Sequence, residues 1–365
     1  MIYKYIHTTS NFSISTNDIY NKKLRILVSK SIIELFSGFL KSNAKTTEIN
    51  FKFTDRIDSF INMNDYTRLN NINISDNQVY YKDHEIEFIT KKDSYEVIIN
   101  IIDNESLISR LKIFNKAFKN NIELQVSTFY YRIFLFFTQL WNIKNNFSYL
   151  HSSAIQVNDK GILFTSSSGT GKSSLLLKVF NHNVNFIADD LTIISDKSMC
   201  YYQGRAISIK PYHIKYFNSL KFYIKKFMPF FQKLQWNILN DNRLSFRISP
   251  LVLFKKYKEL SKINTIYHLC NHSKNTFEIK EISSEELVRL SLPILTSEFF
   301  LFNKNLNNLA SLPNSNFITS YELYKKTESI YKKAFYNKKI KLIFIPFRSD
   351  PNKLFSFLNK MKCFD

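Results

Sequence analysis

The residues best equipped for chemistry lie between His151 and Asp190. The chain holds only five glycines, and three of them, Gly161, Gly169 and Gly171, fall within eleven residues. A sequence so poor in glycine keeps it where a positive φ or a close backbone approach requires it. The string Ser166-Ser167-Ser168-Gly169-Thr170-Gly171-Lys172-Ser173 fits the pattern G-x-x-x-x-G-K-[ST] except at its first position, where Ser166 stands for glycine. In such a loop the backbone N–H groups of Gly169, Thr170, Gly171 and Lys172 cradle phosphate at a helix N-terminus. Lys172 reaches the β- and γ-phosphates, and the Ser173 hydroxyl binds Mg²⁺. Ser168 and Ser174 flank these residues and complete the candidate nucleotide-binding set.

Asp189 and Asp190 follow one helix later, at the end of an apolar run. Near a phosphate-bound magnesium, one carboxylate of such a pair can hold the metal, directly or through water. The other can take the proton of an incoming hydroxyl. His151 by itself reads as a satisfied structural histidine.

Alternation and turn residues predict the elements that must position these groups. A strand at 153–157, a turn at 158–161 and a strand at 162–165 lead into the loop. A helix from Lys172 to about Phe180 and a strand at 186–188 follow it. Farther on, strands are expected near 251–254, 265–269, 277–279 and 342–345. Ser283 and Glu286 form a capping box for a helix through Leu290, and Asp350 with Pro351 opens a last helix. Upstream, a helix at 24–40 and strands at 47–53, 79–81, 85–89 and 95–102 read as an antiparallel meander. An aromatic-rich buried helix is expected within 126–150. The expected fold is α/β, with a strand-rich accessory module at 1–125 and the chemistry in a domain at 126–365.

Composition sets the boundaries of this reading. A 44% hydrophobic and 16% aromatic chain has ample material for a core, which excludes disorder. The net charge of +21 fits nucleic acid, an anionic surface or an acidic substrate, but also a lysine excess spread over solvated faces. The stretch 221–236 mixes four lysines with aromatic residues, and it reads as a lid or substrate loop over the site in preference to a nucleic-acid platform. Three cysteines without metal spacing, no signal sequence and no run long enough to span a bilayer point to a cytoplasmic location.

The segments His151-Ser152-Ser153-Ala154, Gly161-Ile162-Leu163-Phe164, Ser168 to Ser174 and Ile187-Ala188-Asp189-Asp190 together resemble the HPr kinase/phosphorylase family. ATP-dependent phosphoenolpyruvate carboxykinases have a similar pattern. The resemblance implies a P-loop kinase core of that type, using ATP, with GTP as the alternative nucleotide, and Mg²⁺. It implies Lys172 on the phosphates, Ser173 and Asp190 at the metal, Asp189 for preference as the base, and His151 beside the acids. Two departures stand out. Ser166 replaces a glycine, and the family's second signature has no counterpart, since that stretch reads Gln203-Gly204-Arg205-Ala206-Ile207-Ser208-Ile209-Lys210. Arg205 or Lys210 could meet phosphate there, but each is read for preference as a solvated base.

The leading expectation is a kinase acting on a serine hydroxyl of a peptide or small protein, acidic or part of a ribosomally made precursor. Nucleic acid is not the expected partner, and a homo-oligomer is compatible with the reading. A small-molecule hydroxyl kinase and a non-catalytic nucleotide-binding protein are the competing functions.

Overall fold

The computed structural model describes the chain except residues 63–64, 92–93, 104–110, 112, 114–117, 119, 240–243, 314, 348 and 365. Two compact units divide it: Met1–Asn145 with Phe299–Lys325, and Asn146–Glu298 with Lys326–Asp365.

The first unit carries an eight-stranded sheet. Its strands are β1 (Ile2–His7), β2 (Ser10–Asp18), β3 (Ile49–Thr54), β4 (Thr67–Leu69), β5 (Ile72–Ile74), β6 (Gln78–Lys82), β7 (Glu87–Lys91) and β8 (Glu96–Asn100). They lie in the order β1-β2-β3-β8-β7-β6-β5-β4. From β4 to β8 the sheet is the expected antiparallel meander. The other half differs from that expectation, because β2–β3 and β3–β8 are parallel. A parallel pair needs a crossover, and the helix Lys22–Leu35 between β2 and β3 supplies it.

The aromatic segment forms the helices Asn121–Phe129 and Leu135–Lys144, joined by a π-turn at Tyr130–Phe134. Phe129 lies 5.2 Å from Phe51 and 5.0 Å from Phe53, and Phe134 lies 4.9 Å from Phe12, so these rings close the core over β2 and β3. This packing accounts for a unit boundary after Asn145, where the sequence suggested 125/126.

The second unit holds a nine-stranded sheet. Its strands are β9 (Phe147–Leu150), β10 (Ser152–Val157), β11 (Lys160–Thr165), β12 (Asn185–Ala188), β13 (Thr192–Ser195) and β14 (Met199–Tyr201), then β17 (Leu260–His272), β18 (Glu278–Glu281) and β19 (Lys339–Pro346). A separate ribbon pairs β15 (Ile207–Ile209) with β16 (Phe246–Ile248). The order is β12-β10-β11-β17-β14-β13-β9, with β19 against β17 and β18 against β19.

The β10–β11 hairpin turns at Asn158 and Asp159, both with positive φ, as a two-residue turn matched to strand twist requires. Gly161 lies inside β11, not in the turn. A Cβ there would come 2.5 Å from the Lys262 carbonyl oxygen, so this glycine admits the β17 backbone. One strand expectation fails outright: 251–254 becomes the short helix Pro250–Leu253, because Pro250 at its first position fixes a helical φ. The last two expected helices form as Ser284–Glu298 and Pro351–Lys360. Among the described residues no helix is long and apolar enough to cross a membrane.

Candidate functional site

β11 ends at Thr165, and the chain turns through the serine–glycine loop into the helix Lys172–Val179. Gly169 and Gly171 have φ of 85° and 109°, left-handed values that a side chain would strain. Gly171 is the N-cap, so the free N–H groups of this helix start face the loop. Ser166 does not have a positive φ, which explains why a serine fits where the pattern has glycine. Its hydroxyl contacts Thr170 Oγ1 and accepts from Lys172 Nζ at 2.9 Å.

Lys172 is only 5% exposed. Its ammonium also donates to the carbonyls of Ser166 and Ser167, each at 3.1 Å. Burial pulls its pKa down to about 8, while the carboxylates of Asp189 and Glu298 oppose that fall. Burial outweighs them because a charged amine loses more hydration there than these partners return.

The two aspartates leave the end of β12 in different surroundings. Asp189 is buried, and its Oδ1 accepts from Ser173 Oγ at 3.0 Å and from Ser153 Oγ at 2.7 Å. Asp190 has a φ of 68° and a side chain 39% exposed. Its Oδ2 pairs with Arg205, and its Oδ1 lies 3.3 Å from His151 Nε2.

His151 sits between β9 and β10 and is buried. Burial first, then the nearby Lys172 charge, lowers its pKa to about 4, so it is neutral at physiological pH. Thr165 Oγ1 donates to its carbonyl at 3.1 Å, which ties the end of β11 to the start of β10.

Three residues outside the sequence-derived candidate set join the site. Arg205 is not a solvated base: its side chain is 18% exposed and paired with Asp190. Glu298, the last residue of the helix Ser284–Glu298, accepts from Ser168 Oγ at 2.7 Å and lies 3.9 Å from His151 Nε2. His213 is buried and accepts at Nδ1 from the Lys210 N–H at 3.0 Å, so Nε2 carries the proton toward Ser174 Oγ, also 3.0 Å away. Burial and Lys210 push its pKa down to about 3 and keep it in that neutral form. Nothing near Glu298 or His213 in the sequence marks either residue. Gln203-Gly204-Arg205 was the only local signal for Arg205.

His151, the loop from Ser168 to Ser174, both aspartates and Arg205 line one cavity of about 530 Å³, together with Lys210, Tyr212 and Phe347. The structure therefore gathers every sequence-derived candidate into one place. No described residue of 221–236, which the sequence suggested as a lid, lines this cavity.

Chemically the cavity is lined by two cations, Lys172 and Arg205, by two carboxylates, and by the residues that open the helix Lys172–Val179. Ser173 Oγ and Asp189 Oδ1 are oxygen donors held side by side, a set that suits Mg²⁺ completed by phosphate oxygens and water.

No protein-family model and no curated protein sequence matches the chain. Among solved structures, the HPr(Ser) kinase/phosphatase from Coxiella burnetii is similar at 10% sequence identity with a TM-score of 0.29, covering 59% of this chain and 97% of that one.

Proposed function

We propose that this protein is a magnesium- and nucleotide-dependent kinase that transfers the γ-phosphate of ATP to a serine hydroxyl of a peptide or small protein. The observation that carries the reading is the convergence in one cavity of a left-handed glycine loop at a helix N-terminus, the buried Lys172, and two carboxylates in unlike surroundings.

In the proposed reaction the loop N–H groups and Lys172 bind the β- and γ-phosphates. Ser173 and Asp189 would hold Mg²⁺, whose charge would be supplied to those phosphates. Asp190 orients the acceptor hydroxyl and takes its proton. The new bond joins serine Oγ to phosphorus, and the bond between phosphorus and the β–γ bridging oxygen breaks, leaving the diphosphate on Lys172. This gives Asp189 the metal and Asp190 the acceptor, the reverse of the order that the family resemblance implied. Two facts support the reversal: Asp189 is bonded to Ser173, and Asp190 presents the more open carboxylate. Arg205 and His151 hold the two oxygens of Asp190 in place.

A small-molecule acceptor is the second reading. The test is incubation with ATP and Mg²⁺ in the presence of serine-containing acidic peptides and, separately, small polyols, read by mass spectrometry. Phosphoserine on peptide supports the proposal, and phosphate on polyols alone moves the acceptor to the second class. ATP left intact with every acceptor would sink the kinase reading.

A further inference from the structure

The stretch 221–236 does not line the cavity, and its surface is arranged unlike that of a solvated helix pair. It lies in the helices Leu220–Phe227 and Phe230–Leu239. On the second helix, Phe230, Leu234 and Ile238 recur at four-residue spacing and are 81%, 44% and 69% exposed. That spacing places them on one face. Gln235 and Trp236 are buried, and among the described residues neither amide atom of Gln235 nor the indole N–H has a hydrogen-bond partner. The helix thus turns an apolar stripe outward. Such an arrangement is unfavourable in water unless something apolar covers the outer stripe.

The first helix adds a second feature. Phe222 is 62% exposed on a face it shares with Lys221, Lys225 and Lys226. Lys226 Nζ lies 5.7 Å from the Phe222 ring centre and 5.2 Å from that of Phe227. Lys233 donates to the Lys225 carbonyl at 3.0 Å and ties the two helices together. Between Asp196 and Asp241 the sequence contains no acidic residue, whereas 210–240 holds six lysines.

We propose that this helix pair docks on an anionic lipid bilayer surface, with Phe222, Phe230, Leu234 and Ile238 entering the interface and Lys221, Lys225 and Lys226 meeting lipid phosphates. Exposed aromatic and aliphatic side chains among lysines are what interfacial helices present to headgroups. Leu234 and Ile238 have no flat face for base stacking, which argues against nucleic acid. A second copy is disfavoured by charge, because each chain carries a formal +21. The net charge also matches an extended anionic surface, whose potential acts within a Debye length.

Cosedimentation of the full chain with phosphatidylglycerol-containing and pure phosphatidylcholine vesicles tests the proposal. Binding should require the anionic lipid and should weaken strongly as salt rises from about 0.1 M to about 1 M. The triple change Lys221→Gln, Lys225→Gln, Lys226→Gln should weaken partitioning on the order of 100-fold. Phe230→Ser with Ile238→Ser should weaken it at least about tenfold. Circular dichroism and ATP binding serve as folding checks on both variants. Loss of partitioning in either variant with these checks unchanged supports the surface. Equal binding to both vesicle types, no binding to either, or binding by both variants equal to that of the unaltered chain would overturn the proposal.

Discussion

Arg132 in the first unit and Lys172 in the second are both cations withdrawn from solvent among acids, yet they are opposites. Arg132 Nη2 donates to Asp83 at 2.6 Å and to the Tyr81 hydroxyl at 3.2 Å, while Nη1 donates to Glu85 at 2.9 Å. Burial pulls its pKa down, but the hydrogen bond and charge of Asp83 outweigh burial and hold it above the ordinary arginine value. Lys172 points at carbonyl and hydroxyl oxygens instead, and burial wins, bringing its pKa down to about 8. The first cluster has its charges matched in place and serves structure. The second is under-compensated beside a cavity, the arrangement expected where an anion is to be bound. Counting buried charges would rank the two regions alike. Asking which cation has its own counter-charge separates them.

The largest test of that contrast is at the acids. Asp190→Asn should lower turnover roughly 10²–10⁴-fold with nucleotide affinity little changed, because the amide keeps its size but takes no proton. Asp189→Asn should instead raise the magnesium concentration needed for half-maximal rate. Steady-state kinetics over a magnesium series reads both. Should Asp190→Asn raise the magnesium requirement while Asp189→Asn leaves it unchanged, the two roles are exchanged.

Arg132→Met probes the other side. It strands Asp83 and Glu85 and should cost on the order of 2–4 kcal/mol in urea unfolding. Its nucleotide affinity should equal that of the unaltered chain. A loss of affinity without a loss of stability would erase the distinction between the regions.

The pH dependence of nucleotide affinity sharpens it further. In the nucleotide-free protein Lys172 has a pKa near 8, and bound phosphates would raise it, so binding takes up a proton once the free amine is neutral. Affinity for MgATP should be nearly flat below pH about 7 and fall by up to about tenfold per unit well above pH about 8. Calorimetry in buffers of different ionisation enthalpy should record proton uptake there. Proton release would contradict the assignment.

Much of the site was legible because its signals are local. Gly169, Gly171, Lys172 and Ser173 carry their own geometry, and Ser283 accepts from the Glu286 N–H at 3.1 Å as the capping box predicts. What the sequence hid is non-local or ambiguous in period. Glu298 reaches Ser168 from the far end of a helix 130 residues away. Arg205 looked solvated because nothing beside it shows that Asp190 stands opposite. The parallel pairing of β3 with β2 and β8 leaves no trace in alternation, which reports faces and not neighbours. The apolar run at 251–254 suits strand or helix equally, and Pro250 decides it. The run at 221–236 showed its composition but not that Phe230 and Leu234 would be exposed together.

The central claim is that Lys172 and the glycine loop hold a nucleoside triphosphate, and it is tested most directly by titrating MgATP into the unaltered chain and into Lys172→Ala. The unaltered chain should show saturable one-site binding, and the variant should lose at least about 100-fold in affinity, since a charge-assisted contact to phosphate is removed from a buried site. Equal affinity of the two proteins, or no binding to the unaltered chain, would contradict it.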